Sequence, residues 1–414
     1  MKKLKITLLL FILFIIYVYV ASVSLLPNEI ILLQGEKLKL STLWGINIEE
    51  IANSNPNVGE YRKGRIIQAS NNSDVTLTEV GKIDLNVNLF KNISLKNVTV
   101  NVVPKTTVIP LGNAIGLKLY TKGVMVVGMS EIEGVKPYEN SGIEEGDRII
   151  AVNNTILTST EDLINVVNKS EGNQVEIKYV SSNNEEKIVD IVPAKTKENE
   201  YKLGLWVRDA AAGVGTLTFY EPNTGSFASL GHGITDIDTG NLITIANGEL
   251  VTSNIVDISK GEKGKPGEIR GSIEGGNKIG SISKNTSFGI FGNVQNKNYL
   301  KITEKEMEVI SRGEIKPGKA QIICEIETGK KKYYDIEIEK VYTANNQNNK
   351  SMLIKITDEE LLNKTGGIIQ GMSGSPIIQN GKFVGAVTHV LVNDPTTGYG
   401  VFADMMLKQM SEVE

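Results

Sequence analysis

A serine framed by glycines stands at residue 373, in the segment GMSGSP that covers residues 371–376. A serine hydroxyl is a poor nucleophile until a base removes its proton, and histidine is the usual base in proteins. The chain holds only two histidines, His232 and His389, and the first lies between glycines in the segment LGHGI. These residue types predict nucleophilic catalysis, with Ser373 as the nucleophile and His232 as the general base.

A carboxylate that orients the imidazole and stabilises its charged form is expected beside His232. Spacing alone leaves four candidates open, because each lies near one of the elements that carry His232 or Ser373: Asp236, Asp238, Asp358 and Asp394. The first two follow His232 in a predicted loop, whereas Asp358 ends a strand-like run at residues 353–357. The residues alone therefore assign a base and a nucleophile and leave the carboxylate open.

Both residues also have a plain structural interpretation. Ser373 could be an ordinary hairpin serine in a glycine-rich turn, and His232 could be a hydrogen-bonded structural histidine. Pro376, the hairpin signal at residues 377–382 and the glycine within the following apolar strand favour the catalytic interpretation.

Composition excludes several classes of function. The net charge of −4 gives no basic surface for nucleic acid, so we expect no nucleic-acid partner. Cys324 is the only cysteine, which rules out an intrachain disulfide. One cysteine and two distant histidines also do not match the usual ligand spacing of a zinc site. We therefore expect neither a metal ion nor a cofactor.

The N-terminus differs from the rest of the chain. Lys2, Lys3 and Lys5 precede an almost unbroken apolar run over residues 6–26. About 20 apolar residues at ~1.5 Å each span the ~30 Å hydrocarbon core of a bilayer. Basic flanks stay on the cytoplasmic side. Residues 1–26 are therefore predicted to be a membrane helix acting as signal anchor, or a signal peptide that is removed, and the remainder is expected to be exported and membrane-associated.

The remaining sequence predicts a mainly β protein. Val, Ile, Thr and Gly dominate and helical periodicity is rare. The length of 414 residues favours two to four domains. We expect a small β domain over residues 27–108, a second unit over 109–197 and a third over 198–414. The third is long enough for two small β-barrels packed together.

The unit at 109–197 resembles a PDZ domain of the type associated with bacterial proteases. The pattern SGIEEGDRI over residues 141–149 carries the resemblance, and a helix follows with Ser159 as its predicted N-cap and Asp162 at its third position. In such domains a peptide tail adds a strand to an open sheet edge, and its carboxylate meets backbone N–H groups of a glycine-containing loop. By resemblance, that loop is Ile115-Gly116-Leu117, and peptide tails are expected partners.

The region around Ser373 resembles the nucleophile turn of trypsin-like proteases. The resemblance implies a divergent trypsin-like double β-barrel, with an oxyanion hole at the backbone amides of Gly371 and Ser373. It also implies that His389 forms a wall of the substrate cleft and that Thr388 approaches the catalytic carboxylate. Met372 replaces the acidic residue that usually precedes the nucleophile, so activation by an ion pair with a new N-terminus is not expected.

Four segments are similar to the stage IV sporulation protein B peptidases of spore-forming bacteria: VGTLTFY at 214–220, LGHG at 230–233, KTGGIIQGMSGSP at 364–376 and AVTHV at 386–390. The resemblance places the family's catalytic residues on His232, Asp358 and Ser373. It implies a serine endopeptidase exported into the intermembrane space around the forespore. Such enzymes cleave themselves and a regulatory subunit of an intramembrane protease complex, which releases processing of a sigma-factor precursor. The alternative is a membrane-tethered PDZ binding module with an inactive barrel.

Overall fold

The structure is a computed structural model that describes residues 2–24, 26–38, 46–50, 66–67, 75–89, 93–273, 275–300, 302–342 and 349–411. It is mainly β, as the composition predicts. Among the helices of these ranges, none combines the length and the apolar character that crossing a bilayer requires. The membrane segment predicted over residues 1–26 stays a prediction.

The N-terminal part consists of one helix and seven strands: α1 (Lys2–Ser24), β1 (Glu29–Leu33), β2 (Lys37–Leu38), β3 (Ile46–Glu50), β4 (Ile66–Ile67), β5 (Val75–Thr76), β6 (Gly81–Leu89) and β7 (Ile93–Val103). Five of the strands form a sheet in the order β1-β7-β6-β3-β4. Alternate residues of β6 and β7, such as Leu85, Val87 and Val100, are fully buried and form its core. This unit carries no residue of the predicted active site.

One long strand, β8 (Thr107–Met129), belongs to two units at once. Near its end, Val124 and Met125 pair with the PDZ unit, whereas its middle pairs with strands of the C-terminal part. The PDZ unit follows β8 and consists of β9 (Arg148–Val152), β10 (Thr155–Ile156), α2 (Thr160–Lys169), β11 (Val175–Val180), β12 (Glu186–Ile191), β13 (Ala194–Lys195) and β14 (Tyr201–Lys202). The predicted boundary at residue 109 therefore lies inside a continuous strand.

Helix α2 begins where the sequence predicts. Ser159 is its N-cap and accepts a hydrogen bond from the Asp162 backbone N–H, while the Asp162 carboxylate accepts from the backbone N–H of Ser159. This capping box satisfies two N–H groups that a helix start otherwise leaves without partners. The buried face of α2, with Leu163 and Val167, packs into the core of the PDZ unit.

The first half of the C-terminal part is a closed ring of six strands. Its members after β8 are β15 (Leu205–Tyr220), β16 (Ser226–Ser229), β17 (Ile245–Thr252), β20 (Lys278–Thr286) and β21 (Gly289–Val294). The pairings run β8-β15-β16-β21-β20-β17 and return to β8, so the sheet closes on itself. Outside the ring lie β18 (Asn254–Ser259), β19 (Glu268–Ser272), a 3₁₀ turn (Lys297–Tyr299) and β22 (Met307–Glu308).

The second half is a closed barrel in the order β23-β24-β25-β28-β27-β26. Its strands are β23 (Gly318–Glu325), β24 (Lys331–Val341), β25 (Met352–Ile356), β26 (Pro376–Gln379), β27 (Lys382–Leu391) and β28 (Asp394–Phe402). Helices α3 (Glu359–Thr365) and α4 (Ala403–Ser411) flank it. The two rings are the double barrel that the nucleophile turn predicts, and the active-site candidates lie where they meet.

Candidate active site

The turn that carries Ser373 joins the two rings. The hydroxyl of Thr216, in β15 of the first ring, donates to the carbonyl of Gly371 at 2.7 Å, and the Thr216 amide donates to the carbonyl of Ser373 at 3.3 Å. Gly374 has a φ of +96°, and a Cβ there would lie 2.4 Å from the Thr216 carbonyl oxygen. Only glycine permits both that backbone conformation and that approach, so the turn can dock on β15 and fix the nucleophile.

Two backbone amides of this turn remain available. Met372, Gly374 and Ser375 donate their N–H groups to carbonyls of Ile369, Val387 and Met372, respectively. The amides of Gly371 and Ser373 have no acceptor among the described residues. These are the two donors that the resemblance to trypsin-like proteases assigns to the oxyanion hole, and free N–H groups beside a nucleophile can stabilise a developing oxyanion.

His232 is carried by a sharp turn at the end of β16. Leu230 and Gly231 both have φ values of 69°, which is the left-handed region. A Cβ on Gly231 would lie 3.0 Å from the Thr388 side chain of the second ring. This turn therefore brings His232 against β27, the strand that follows the nucleophile.

The imidazole of His232 is held by its own main chain. Its Nδ1 lies 2.8 Å from the carbonyl oxygen of Gly233. A proton on Nδ1 donates to that oxygen, and this tautomer leaves the lone pair of Nε2 free to accept the serine proton. Burial lowers the pKa of His232 below its usual value of 6.5, against the smaller opposing influence of the Gly233 carbonyl. A neutral imidazole is the form that a general base requires.

His232, Ser373 and His389 line one cavity of about 440 Å³ between the two rings. The two imidazole rings are 5.3 Å apart between centroids. Burial, together with the nearby His232 and Lys350, lowers the pKa of His389 to about 4. The Ser373 hydroxyl donates to the Thr388 carbonyl oxygen at 2.7 Å. In this conformation the serine proton is thus directed to β27 and not to His232.

Asp358 lies elsewhere. It is the N-cap of α3, and its carboxylate accepts hydrogen bonds from the amides of Leu361 at 2.9 Å and Asp335 at 3.4 Å. The other end of β25 approaches His232, because the Asn349 side chain donates to the Gly231 carbonyl at 3.4 Å. The five residues of β25 span about 15 Å. The structure thus places His232 and Ser373 on one cavity and leaves Asp358 beyond the opposite end of that strand.

The other aspartates also have partners away from His232. Asp236 and Asp238 both pair with Arg208 of β15, which clamps the loop that follows His232. Asp394 accepts hydrogen bonds from the hydroxyls of Thr396 and Thr397. In this conformation the hydrogen bond of His232 Nδ1 goes to the Gly233 carbonyl oxygen, where a catalytic carboxylate would otherwise be the acceptor. No sequence pattern marks a main-chain carbonyl for that position.

The loop predicted to bind peptide carboxylates is not a loop in the structure, and that prediction is wrong. Ile115, Gly116 and Leu117 are buried in the middle of β8, paired with β15 on one side and β17 on the other. A Cβ on Gly116 would lie 2.3 Å from the Ile273 side chain. The glycine therefore serves close packing of the first ring, and its segment offers no open edge.

A groove with an open strand edge lies instead beside α2. It has a volume of about 520 Å³ and is lined by α2 and by the chain from Glu200 to Val207. Leu205, Trp206 and Val207 pair with β8 on one edge only. Within the described chain the amides of Leu203 and Gly204 donate to no acceptor. The sequence contained a signal, because Leu203-Gly204-Leu205 repeats the apolar-glycine-apolar pattern of residues 115–117. We call this cavity the α2 groove.

The fold and the site point to one class of protein: Ser373 and His232, from two β-rings, share a cavity beside two amides that have no acceptor among the described residues. The chain belongs to the family described as SpoIVB peptidase S55, whose profile matches residues 199–407, and it is a serine peptidase. The match covers the part of the chain that carries His232, Asp358 and Ser373.

Solved structures of proteases and of a PDZ domain are similar to parts of this chain. The Rv3671c protease from M. tuberculosis, in its active form, is 14% identical, covers 61% of this chain and 86% of its own, and has a TM-score of 0.29. The HtrA-type protease AlgW with a decapeptide is 11% identical, covers 52% and 54%, and has a TM-score of 0.30. The PDZ domain of the SdrC-like protein from Listeria monocytogenes is 19% identical, covers 21% and 87%, and has a TM-score of 0.18. The search of curated proteins gave no match.

Proposed function

We propose that this serine peptidase is an endopeptidase of sporulation signalling, which acts on protein substrates through an acyl-enzyme. The observation that carries the proposal is the shared cavity of His232 and Ser373, with the free amides of Gly371 and Ser373 beside it. The family to which the chain belongs supports the sporulation context.

The reaction follows from the positions of these groups. The Ser373 hydroxyl turns from the Thr388 carbonyl and attacks the substrate carbonyl carbon, while Nε2 of His232 takes its proton. The amides of Gly371 and Ser373 donate to the oxyanion that forms, and His232 then gives the proton to the departing amine. Water attacks the resulting ester in the same way and releases the second product. The Gly233 carbonyl accepts from Nδ1 throughout and stabilises the imidazolium only as a dipole.

The experiment is active-site labelling of the purified full chain with a fluorophosphonate, together with hydrolysis of a denatured protein substrate. We expect wild-type protein to be labelled and to cleave, and Ser373→Ala to lose labelling and about 10⁶ in kcat. Ser375→Ala is the matched control, because its hydroxyl is buried and donates to the Met372 carbonyl. A wild-type chain that is neither labelled nor active would leave only the alternative, a binding module with an inactive barrel.

For the substrates, we propose the chain itself and a regulatory subunit of an intramembrane protease complex, as the family resemblance implies. Self-cleavage predicts that wild-type protein shortens on incubation while Ser373→Ala stays intact. Purified wild-type protein that stays full-length while cleaving other substrates would remove the chain itself from this proposal.

We propose that peptide tails bind in the α2 groove. Its strand edge at Leu205–Val207 is open, and an extended peptide can add to such an edge while its carboxylate meets free amides at one end. We also propose that the N-terminal apolar segment directs export to the space around the forespore and keeps the protein on the membrane. Release of the full-length protein from membranes by alkaline carbonate would contradict the anchor.

A further inference from the structure

The cavity beside Ser373 is lined mainly by apolar side chains. Among the described residues that form it, none carries a charge. Aliphatic side chains cover most of its wall: Leu117, Val214, Leu230, Ile234, Ile368, Ile369 and Val390. Its polar side chains are those of Ser373 and His232, which take part in the reaction, and of Thr388, His389 and Gln370. Thr388 is itself buried and donates to the carbonyls of Asn349 and Tyr399, so it offers a substrate no free hydroxyl proton.

The cavity lies where the substrate residue before the cleaved bond must lie. Ile368, Ile369 and Gly371 immediately precede the nucleophile, and Val390 follows the carbonyl of Thr388 that accepts the Ser373 proton. A substrate whose carbonyl carbon meets Ser373 therefore places the side chain of that residue against these walls. A charged side chain would lose its water there without meeting an opposite charge, whereas an aliphatic side chain gains apolar contact.

One glycine controls the free space. Gly213 and Gly215 lie on the same face of β15, since side-chain directions alternate along a strand. A Cβ on Gly215 would lie 2.2 Å from Leu230, which lines the cavity, so this face points inward. A Cβ on Gly213 would have no atom within 4 Å, and its backbone is outside the left-handed region. A side chain at residue 213 would therefore enter the cavity without disturbing the ring.

We propose that the peptidase selects an uncharged aliphatic residue on the acyl side of the cleaved bond, and that Gly213 sets the size of the side chain that fits. This inference rests on the proposed function and adds its substrate class. The selectivity comes from the uncharged lining: no described wall residue carries a charge opposite to that of a lysine, arginine, aspartate or glutamate side chain.

The test uses the full chain and a set of fluorogenic peptides that differ only in this residue: Ala, Leu, Phe, Lys or Asp. We expect kcat/KM for Leu to exceed that for Lys and Asp by about 100-fold or more. In Gly213→Val, the ratio of Leu to Ala should fall at least tenfold, because the added methyl groups fill the space of the longer side chain. Each ratio is taken within one variant, so a general loss of activity cancels.

Gly128→Ala is the matched control, since Gly128 also lies in a strand and a Cβ there makes only ordinary contacts of 3.7–3.9 Å with Trp206, away from the cavity. Its Leu-to-Ala ratio should equal that of wild type. Two results would overturn this inference alone, provided that the fluorophosphonate labels Ser373. The first is a higher kcat/KM for the Lys or Asp peptide than for the Leu peptide. The second is an unchanged Leu-to-Ala ratio in folded Gly213→Val. A wild-type chain that is neither labelled nor cleaves any peptide overturns the proposed function and this inference together.

Discussion

Strand β15 lines two cavities that differ in what lies opposite its unpaired edge. At residues 211–215 it forms a wall of the cavity that His232 and Ser373 share, which we call the catalytic cavity, and the turn that carries Ser373 lies across that cavity. At Leu205–Val207 it borders the α2 groove, where one edge has no strand partner. Hydrogen bonds from Thr216 to the carbonyls of Gly371 and Ser373 hold that turn against β15, whereas the edge beside α2 can accept another strand. On the proposed function, one strand thus serves catalysis and peptide capture in separate stretches.

Arg208 lies between these two stretches. Its guanidinium binds Asp236 and Asp238 in the loop after His232, so the strand segment nearest the α2 groove also holds the loop nearest the base. Asp236 is almost fully buried and also accepts hydrogen bonds from the amides of Asp238 and Thr239. These ion pairs thus connect the strand segment beside the α2 groove to the loop that follows His232.

The largest expected difference between the roles of the two regions comes from truncating an exposed side chain of the α2 groove. Trp206 is 64% exposed at the α2 groove and does not line the catalytic cavity. We expect Trp206→Ala to weaken binding of a fluorescein-labelled octapeptide ending in valine by about tenfold, because aromatic side chains supply much of the contact energy in such sites. Fluorescence anisotropy measures the binding, and the same peptide ending in an amide is the control.

Cleavage of a short fluorogenic peptide by Trp206→Ala should match wild type. If tail binding is unchanged while cleavage falls, the assignment of capture to the groove and chemistry to the cavity is wrong.

A second test concerns Asp358, which the family resemblance assigns to the catalytic cavity and the structure places at the start of α3. Asparagine caps helices as well as aspartate does, while alanine does not. From the contacts we expect Asp358→Ala to lose about 1 kcal/mol of unfolding free energy. Asp358→Asn should keep both stability and activity. Urea denaturation and peptide hydrolysis measure the two properties.

The opposite result has a clear meaning. A loss of about 10⁴ in kcat for Asp358→Asn, at unchanged stability, would show that this carboxylate reaches His232 during the reaction. The capped conformation would then be a resting state.

The smallest expected effect is on pH dependence. His232 must be neutral to accept the serine proton, so kcat/KM falls as the pH decreases through its pKa. Burial lowers that pKa, and the acid limb should therefore have its midpoint below pH 6.5. Hydrolysis rates between pH 4 and 8 measure this midpoint. Tail binding in the α2 groove should not change with pH in the same way. A midpoint above pH 6.5 would indicate a carboxylate beside the imidazole.

Local patterns predicted several elements correctly. The capping box at Ser159 and Asp162 predicted where α2 begins, because its hydrogen bonds join residues only three positions apart. The resemblance to trypsin-like proteases placed an oxyanion hole at the amides of Gly371 and Ser373, and these two amides have no acceptor among the described residues, while their role stays a prediction. The same reasoning failed at Gly116, where the pattern matched a binding loop but both edges of the strand are occupied.

The sequence by itself determined the chemistry available to this protein: a serine in a glycine turn, a scarce histidine in another, and no metal-ligand spacing. Tertiary structure decided which of two similar glycine segments has a free edge, which aspartates are already bonded, and that β8 belongs to two units. The physical reason is the separation along the chain over which each kind of interaction acts. Turn and cap preferences act over a few residues, whereas strand pairing and cavity lining join residues more than a hundred positions apart.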